Sequence, residues 1–371
     1  MTPGLLPSRW SALGSRAEPA DPQGSMGIGA VSRSAPMDAT RFRIRPFGLD
    51  DHEALSILRS RTLPDLPSTA DEERHWDAMT AASRLTNERW IVEERSSGRV
   101  VAVGALNHSP HAFDPHKFWV DVEVDPDFTH LGIGRALVAL LDSESSEHRA
   151  TCLWANVQNA DPRAKKFAER AGFVDRRTMW MGELDLSLPA ASAIVDRTSE
   201  LEHDGIRFST LEDEGSDLPE VRQRLFDLWV EASRDVPRMG EYVPVSFEGF
   251  TAMMEAPTMI PEAFFLGISG ETYIASSHLE RDLSRPDSLF VGFTGTRSGS
   301  RGRGIATELK RRSVVYAQEH GFRFLRTFND SLNPSIWAIN EKMGFRRVLE
   351  ISQLERTISP AGSPVPSTAP R

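Results

Sequence analysis

Apolar and polar positions along the chain fall into two long blocks that predict the same succession of elements. The first opens on Phe42-Arg43-Ile44-Arg45, whose alternation predicts a strand, and continues with a helix around Asp51 to Leu58. The acidic run Thr69-Ala70-Asp71-Glu72-Glu73 predicts the start of a second helix. Trp90 to Glu94 and Val100 to Leu106 read as a hairpin around Ser96-Ser97-Gly98, and Phe118 to Val124 as a further strand. Gly132-Ile133-Gly134 then leads into a helix through Leu141.

The second block opens at Gly205-Ile206-Arg207-Phe208. Helices are expected over Leu225 to Ala232 and Phe247 to Met254, with a loop from Pro237 to Pro244 between them. A hairpin of Phe264 to Ile268 and Tyr273 to Leu279 follows. The apolar run Leu289 to Thr296 is a strand. It turns through Arg297-Ser298-Gly299-Ser300 into Arg301-Gly302-Arg303-Gly304-Ile305-Ala306, and Leu309, Arg312, Ser313, Tyr316 and Ala317 then recur at helical spacing up to the stop at His320-Gly321.

The blocks are copies. Gly132 to Gly304 and Gly172 to Gly344 are each separated by 172 residues, and Asn156 corresponds to Asn329 with a slip of one residue. Strands alternating with helices in a unit of about 150 residues predict an α/β fold.

Chemistry concentrates where the second copy passes from strand through glycines into a helix. Unpaired N–H groups of a first helical turn, with the helix dipole, suit an anion, and small residues at 302, 304 and 306 let a pyrophosphate approach the backbone. Thr307 stands where a dinucleotide fingerprint wants glycine, and the Gly-Lys-Ser/Thr of a P-loop is absent. The stretch resembles instead the acyl-CoA motif of the GNAT acetyltransferase superfamily, Arg/Gln-x-x-Gly-x-Gly/Ala after a strand. Arg301, Gly304 and Ala306 stand at its fixed positions. Phe324 to Asn329 resembles the family's next strand ending in Asn, and Asn333 to Phe345 its following helix, closing on Gly344-Phe345.

The resemblance covers about residues 41 to 357. It implies two tandem GNAT-like domains, each a mixed, mostly antiparallel central sheet flanked by helices. The expected division is a disordered leader 1–40, a first domain 41–187, a linker 188–204, a second domain 205–357 and a disordered tail 358–371. It further implies acetyl-CoA as co-substrate, with its pantetheine arm between two splayed strands. Amides of Arg301, Gly302, Arg303, Gly304, Ile305 and Ala306 would hold the pyrophosphate. Phe293, Thr294, Gly295 and Thr296 would pair with pantetheine, and Asn329 and Asn333 belong to the same cofactor set. The loop bearing Arg238, Met239 and Tyr242 would lie over the acceptor.

The copies differ in chemistry. Thr129 replaces the motif arginine in the first, leaving Gly132 and Gly134, so the second copy is expected to work and the first to be degenerate. Conversely Asp121 and Glu123 share one strand face of the first copy, where family members often place a base; a solvated face explains them too. The second copy offers His278 and Glu280, two apart on one strand, as a base acting through water or as a surface pair. Many family members carry a Tyr four residues before Gly-Phe as proton donor to the CoA sulfur; Ala168 and Asn340 stand there. Asn340 could support a departing thiolate by hydrogen bonding.

Composition narrows the reading. The chain has 371 residues, net charge -10, 39% hydrophobic and 26% charged residues, which suits a globular protein of two domains and argues against broad nucleic-acid binding. No stretch approaches the ~20 apolar residues of a membrane span. Residues 1 to 40 hold five Pro, five Gly and six Ser without the pattern of a signal peptide, and Met26 and Met37 are alternative starts. Cys152, alone, excludes an internal disulfide and suggests a reducing cytoplasm. His108, His111, His116 and Asp114 match no metal-ligand spacing, so no metal is expected.

The expectation is thus a cytoplasmic N-acetyltransferase, monomer or homodimer, moving an acetyl group from acetyl-CoA to a small primary amine in its second domain. Catalysis in the first domain through Glu123 or Asp121 is one alternative. A CoA-binding scaffold without turnover is another. Nucleic-acid binding through Arg297, Arg301, Arg303, Lys310, Arg311 and Arg312 is a third and weaker one.

Overall fold

The computed structural model describes residues 36–110, 112–188 and 195–358. The leader through residue 35, His111, residues 189–194 of the linker and the tail from 359 lie outside the described residues.

The first half runs β1 (Phe42–Pro46), α1 (His52–Thr62), α2 (Ala70–Ala82), β2 (Asn87–Glu94), β3 (Val100–Asn107), β4 (Lys117–Val124), α3 (Ile133–Glu147), β5 (Cys152–Gln158), α4 (Pro162–Arg170) and β6 (Val174–Asp185). The second runs α5 (Thr198–His203), β7 (Ile206–Thr210), α6 (Leu211–Glu214), α7 (Pro219–Ser233), α8 (Phe247–Met254), β8 (Met259–Ser269), β9 (Thr272–Arg281), β10 (Ser288–Thr296), α9 (Ile305–Glu319), β11 (Phe324–Asp330), α10 (Pro334–Lys342) and β12 (Arg346–Thr357). Local chemistry sets several boundaries. Thr69 and Glu72 form a capping box on α2, and Asp161 caps α4, whose first residue is Pro162. α5 occupies part of the segment that the sequence marks as linker.

The twelve strands of the described residues join one sheet in the order β1-β2-β3-β4-β5-β12-β6-β11-β10-β9-β8-β7. Only β4 with β5 and β10 with β11 are parallel; the other neighbours are antiparallel. The halves exchange their last strands. β6 leaves the first half to pair with β11 of the second, and β12 leaves the second to pair with β5 of the first, while β6 and β12 pair with each other at the centre. The chain boundary near residues 188–204 therefore does not separate two closed sheets.

The 172-residue interval holds without a break through α3 and α9, β5 and β11, α4 and α10, and β6 and β12. With no slip, Asn329 matches Val157 and Asn156 matches Phe328, which corrects the pairing of the two asparagines made from sequence. Adjacent strand residues point to opposite faces, so the two cannot serve one role: Asn156 accepts from Gln353 Nε2 at 3.1 Å, while Asn329 bonds to α10.

Separate cores fill the layers. α3 and α4 cover one face of the first half through Leu137, Leu141, Ala168, Val120 and Val122. Trp229, Phe250, Phe264 and Phe293 form the core under α7 and α8. Leu63 and Leu66 of the first half pack with Phe290 and Phe328 of the second and with Met179 and Ile351 of the exchanged strands. No helix among the described residues is long and apolar enough to cross a membrane.

Candidate active site

Both halves build the same backbone turn ahead of their long helix. Arg301 has φ −70° and ψ 162°, and Thr129 has −68° and 161°. Gly302 and Gly304 follow at φ 76° and 87°, and His130 and Gly132 at 63° and 79°. Two left-handed residues flanking one of ordinary handedness are what glycine permits cheaply, and His130 adopts this conformation without being glycine. The N–H groups of the first turns of α9 and α3 are thereby directed outward as an anion cradle in both halves.

The side chains around the cradles differ. Arg301 donates from Nε to the Thr296 carbonyl at 3.1 Å and pairs through Nη1 with Asp235 at 2.8 Å. Arg303 reaches Asp204 at 3.8 Å. Arg197, from the linker, donates through Nη1 to the Arg303 carbonyl at 3.2 Å and lies so close to Gly304 that a Cβ there would overlap it. Three guanidinium groups thus surround the second cradle. Nothing in its sequence context singled out Arg197, because its role depends on how the linker folds back. Of the other arginines of the basic stretch, Arg297 pairs with Glu231, Arg311 with Glu308 and Asp196, and Arg312 with Glu308.

Next to each cradle two parallel strands diverge. β4 and β5 are paired only from Lys117–Cys152 to Trp119–Trp154, and β10 and β11 only from Ser288–Phe324 to Phe290–Arg326. In the first half the opening beyond is a cleft lined by Val120, Val122, Val138, Ala155, Phe167 and Ala168. In the second half the corresponding space is polar. Asn340 donates from Nδ2 to Asn329 Oδ1 at 2.7 Å, Asn329 donates to the Thr327 carbonyl at 3.4 Å, and Thr327 Oγ1 donates to the Val291 carbonyl at 3.3 Å. This chain runs from α10 across β11 to β10.

At its end β10 is irregular. Val291 pairs with Leu279 but Thr294 with Ser277, so β10 carries one residue more than β9, whereas the ladder between β3 and β4 is unbroken. The bulge at Gly292-Phe293 leaves backbone groups outside the ladder and re-aims the strand. His278 lies directly on it, since a Cβ at Gly292 would overlap its imidazole. The ring stacks on Phe264 with centroids 4.7 Å apart, Nε2 meets Glu280 Oε1 at 3.0 Å, and Nδ1 is buried without a partner. A histidine oriented by a carboxylate, with its other nitrogen free, is the arrangement of a general base. Spacing two apart did put both groups on one face, but that face is interior, at 1% and 8% exposure, which overturns the surface-pair alternative.

The remaining sequence candidates fall as follows. Phe293 is buried against Trp229, with ring centroids 4.5 Å apart, and Thr294 Oγ1 bonds Ser277 Oγ at 2.9 Å. Gly295 is pressed against the Phe293 ring. Ile305 is a core residue, Ala306 is half-buried on the first turn of α9, and Asn333 precedes α10, accepting from Ser335 Oγ at 2.9 Å. Tyr242 donates to the Val230 carbonyl at 2.9 Å, and the Arg238 guanidinium sits 4.4 Å over its ring. Met239 turns to the first half and is buried among Trp119, Cys152 and Trp154.

Asp121 and Glu123 are 2% and 0% exposed, so the solvated-face alternative is corrected. α1 and α2 cover that face and bring countercharges. Arg59 Nε donates to Glu123 at 3.2 Å, Thr62 Oγ1 donates to its other oxygen at 2.7 Å, Arg59 also pairs with Glu73, and Asn107 donates to Asp121 at 3.2 Å. Burial, more than Arg59 offsets, pushes the Glu123 carboxyl up. His108 is a core ring stacked on Phe118 at 4.3 Å, pushed down to about 4 by burial, and the Cys152 thiol is pushed up to about 12 by burial first and Glu355 second.

With this geometry, comparison with known proteins is informative. Residues 53–173 match the acetyltransferase (GNAT) family model. A GCN5-related N-acetyltransferase from Sphaerobacter thermophilus superposes with a TM-score of 0.62 at 18% identity, covering 85% of this chain and 96% of its own. A tandem GNAT protein from the clavulanic acid biosynthesis pathway superposes with a TM-score of 0.66 at 20% identity, covering 86% of this chain and 99% of its own. The chain is a tandem GNAT-fold protein. A comparison with curated proteins finds no match to the sequence. In this tandem GNAT-fold chain the family match falls on the first half, the one whose motif lacks the arginine, while the structural likeness spans both. The match supports an N-acetyltransferase role.

Proposed function

We propose that the protein transfers an acetyl group from acetyl-CoA to a small primary amine, and that the second half does the chemistry. The observation that carries this is the placement of His278 of β9, held by Glu280, against the bulge of β10, the strand that diverges from β11 beyond Phe290 and leads into the α9 cradle. In this reading the α9 amides with Arg301 and Arg303 take the pyrophosphate, and the unladdered backbone at Gly292-Phe293 polarises the thioester carbonyl. His278 takes the proton of the attacking amine. Such a base is needed because an alkyl amine is protonated at neutral pH. The anionic balance of the chain, -10, favours a cationic acceptor. We place it in a reducing cytoplasm, as a monomer or homodimer, without a metal.

Calorimetry with acetyl-CoA on wild type, Ala306→Glu and Gly134→Glu tests the site. A carboxylate in the first turn repels pyrophosphate without straining the turn glycines. Loss of binding only in Ala306→Glu, with thiol release on an amine panel, is the expected result. No binding by wild type overturns the reading.

A second reading has its own support. The family match at residues 53–173 and the apolar cleft of Val120, Val122, Ala155 and Ala168 favour acyl-CoA binding in the first half. Loss of binding only in Gly134→Glu would select it. Glu123 would then be a poor base, since both its oxygens are held.

A further inference from the structure

Lys310 lies on the inward face of α9, one turn past the cradle, 3% exposed. Its Nζ is 5.8 Å from the centre of the Phe345 ring. Phe345 and Asn329 both border Gly182 of β6, each 3.5 Å from where a Cβ would stand, so Lys310 faces the same pocket as the Asn340–Asn329 pair. Asn340 is wholly buried there and its Oδ1 has no partner. The charged neighbours of Lys310 on α9 face elsewhere: Glu308 receives Thr198 Oγ1 and the Arg197 N–H, and Arg311 and Arg312 turn to that same carboxylate. Burial alone acts on the ammonium, pushing its pKa down to about 7.

A buried cation without a carboxylate is costly, and the fold does not require it. The 172-residue interval supplies the control within the same chain. Lys310, Thr327, Asn329 and Asn340 correspond to Val138, Ala155, Val157 and Ala168. Three of those four line the apolar cleft of the first half. One backbone therefore carries an apolar pocket in one copy and a cation with two amides in the other. The pocket lies at the position four residues before Gly344-Phe345, where the phenol expected from the resemblance is missing.

We propose that Lys310 is the cation that receives the departing thiolate of CoA, with Asn340 Oδ1 accepting from the S–H once the sulfur is protonated. This rests on the second half being the acyl-CoA site. As the amine nitrogen bonds to the acyl carbon, the carbon–sulfur bond breaks and sulfur takes the electron pair. The Lys310 ammonium holds the sulfur as thiolate. The proton shed by the attacking amine goes to His278. Solvent then protonates the sulfur and takes the proton from His278, so that one N–H is lost and one S–H gained.

The test needs no acceptor. CoA itself is bound to full-length wild type, Lys310→Met and Lys310→Arg, affinity is read by calorimetry, and ionisation of the bound thiol is followed by thiolate absorbance against pH. A free thiol of this kind ionises near about 8.5. In wild type the bound thiol is expected to ionise at least ~10-fold more readily than free CoA at a given pH, a shift of one unit. Lys310→Met should still bind CoA but lose that shift, and Lys310→Arg should keep it. A Lys310→Met protein whose bound thiol titrates as in wild type overturns the inference, as does one that is folded yet no longer binds CoA, because Lys310 would then serve binding or packing. Failure of wild type to bind CoA removes the acyl-CoA reading itself and the inference with it. Failure of the thiol shift alone leaves that reading standing.

Discussion

Trp154 of β5 donates a hydrogen bond from its indole nitrogen to Glu355 of β12, 3.2 Å away and 201 residues later in the chain. The bond joins the two halves through a strand that one half has given to the other. The sheet is continuous only because both exchanges are made.

Separating the halves should therefore fail. Residues 36–188 and 195–358 expressed alone would each expose an unpaired β5 or β11 edge in mid-sheet, a template for aggregation. Co-expressed, they should elute together as a one-to-one complex on size exclusion. Two well-behaved monomers with native circular dichroism would contradict the exchange.

His278→Gln puts a polar side chain of similar size in place of the imidazole and removes the base. Acetyl-CoA affinity should be unchanged while kcat with an accepted amine falls by about 10²- to 10⁴-fold. Glu280→Gln should fall less. An undiminished kcat in His278→Gln removes it from the mechanism.

Met239 discriminates substrate contact from packing. If its burial among Trp119, Cys152 and Trp154 is its role, Met239→Ala lowers stability by roughly 2–5 kcal/mol in denaturant unfolding and leaves KM for the amine unaltered. A raised KM at unchanged stability would return it to the acceptor site.

The carboxylates of the first half give a pH signature. Burial opposes ionisation of Glu73, yet Arg59 and Arg89 hold it below the usual range, and Asp125 is likewise held down by Arg61 and Arg99 against its burial. Depressed folded-state values mean stability present above the ordinary carboxylate pKa and lost as pH falls through the folded values. Unfolding free energy should drop steeply below about pH 4. Glu123→Ala, which removes one of the two carboxylates on Arg59 and leaves Glu73 in place, should cost about 1–3 kcal/mol at pH 7.

Lys310 works in the opposite sense. Its folded value of about 7 lies under the unfolded value of about 10.4, so between them the unfolded chain binds the extra proton and stability rises with pH. Lys310→Met should thus be more stable than wild type below pH 7, with the gap closing toward pH 10. A gap that does not change with pH would show that the ammonium is not desolvated.

Much of this architecture is legible in the amino acids. Helical spacing with the His320-Gly321 stop locates α9, and the closing Gly344-Phe345 locates α10, because amphipathic periodicity and left-handed stops are local signals. The destination of β6 and β12 is not local: alternation marks a strand but says nothing of its neighbour across the sheet. The bulge at Gly292 escapes for the same reason, since an extra residue in one strand is visible only against its partner. Lys310 shows a different blind spot. Grouped with Arg311 and Arg312 it reads as a basic surface, yet Ser313 and Val314 follow it at helical spacing on the buried face.

The exchanged strands make this chain a tethered dimer of itself. A swapped homodimer comes apart on dilution, because its stability contains its own concentration. Here the connecting segment fixes the effective concentration of each half for the other, so assembly is independent of how scarce the protein is. Freed from matching an identical partner, each copy can change its interior alone. Valine and alanine in one pocket facing lysine and asparagine in its twin is the kind of divergence that such a tether permits.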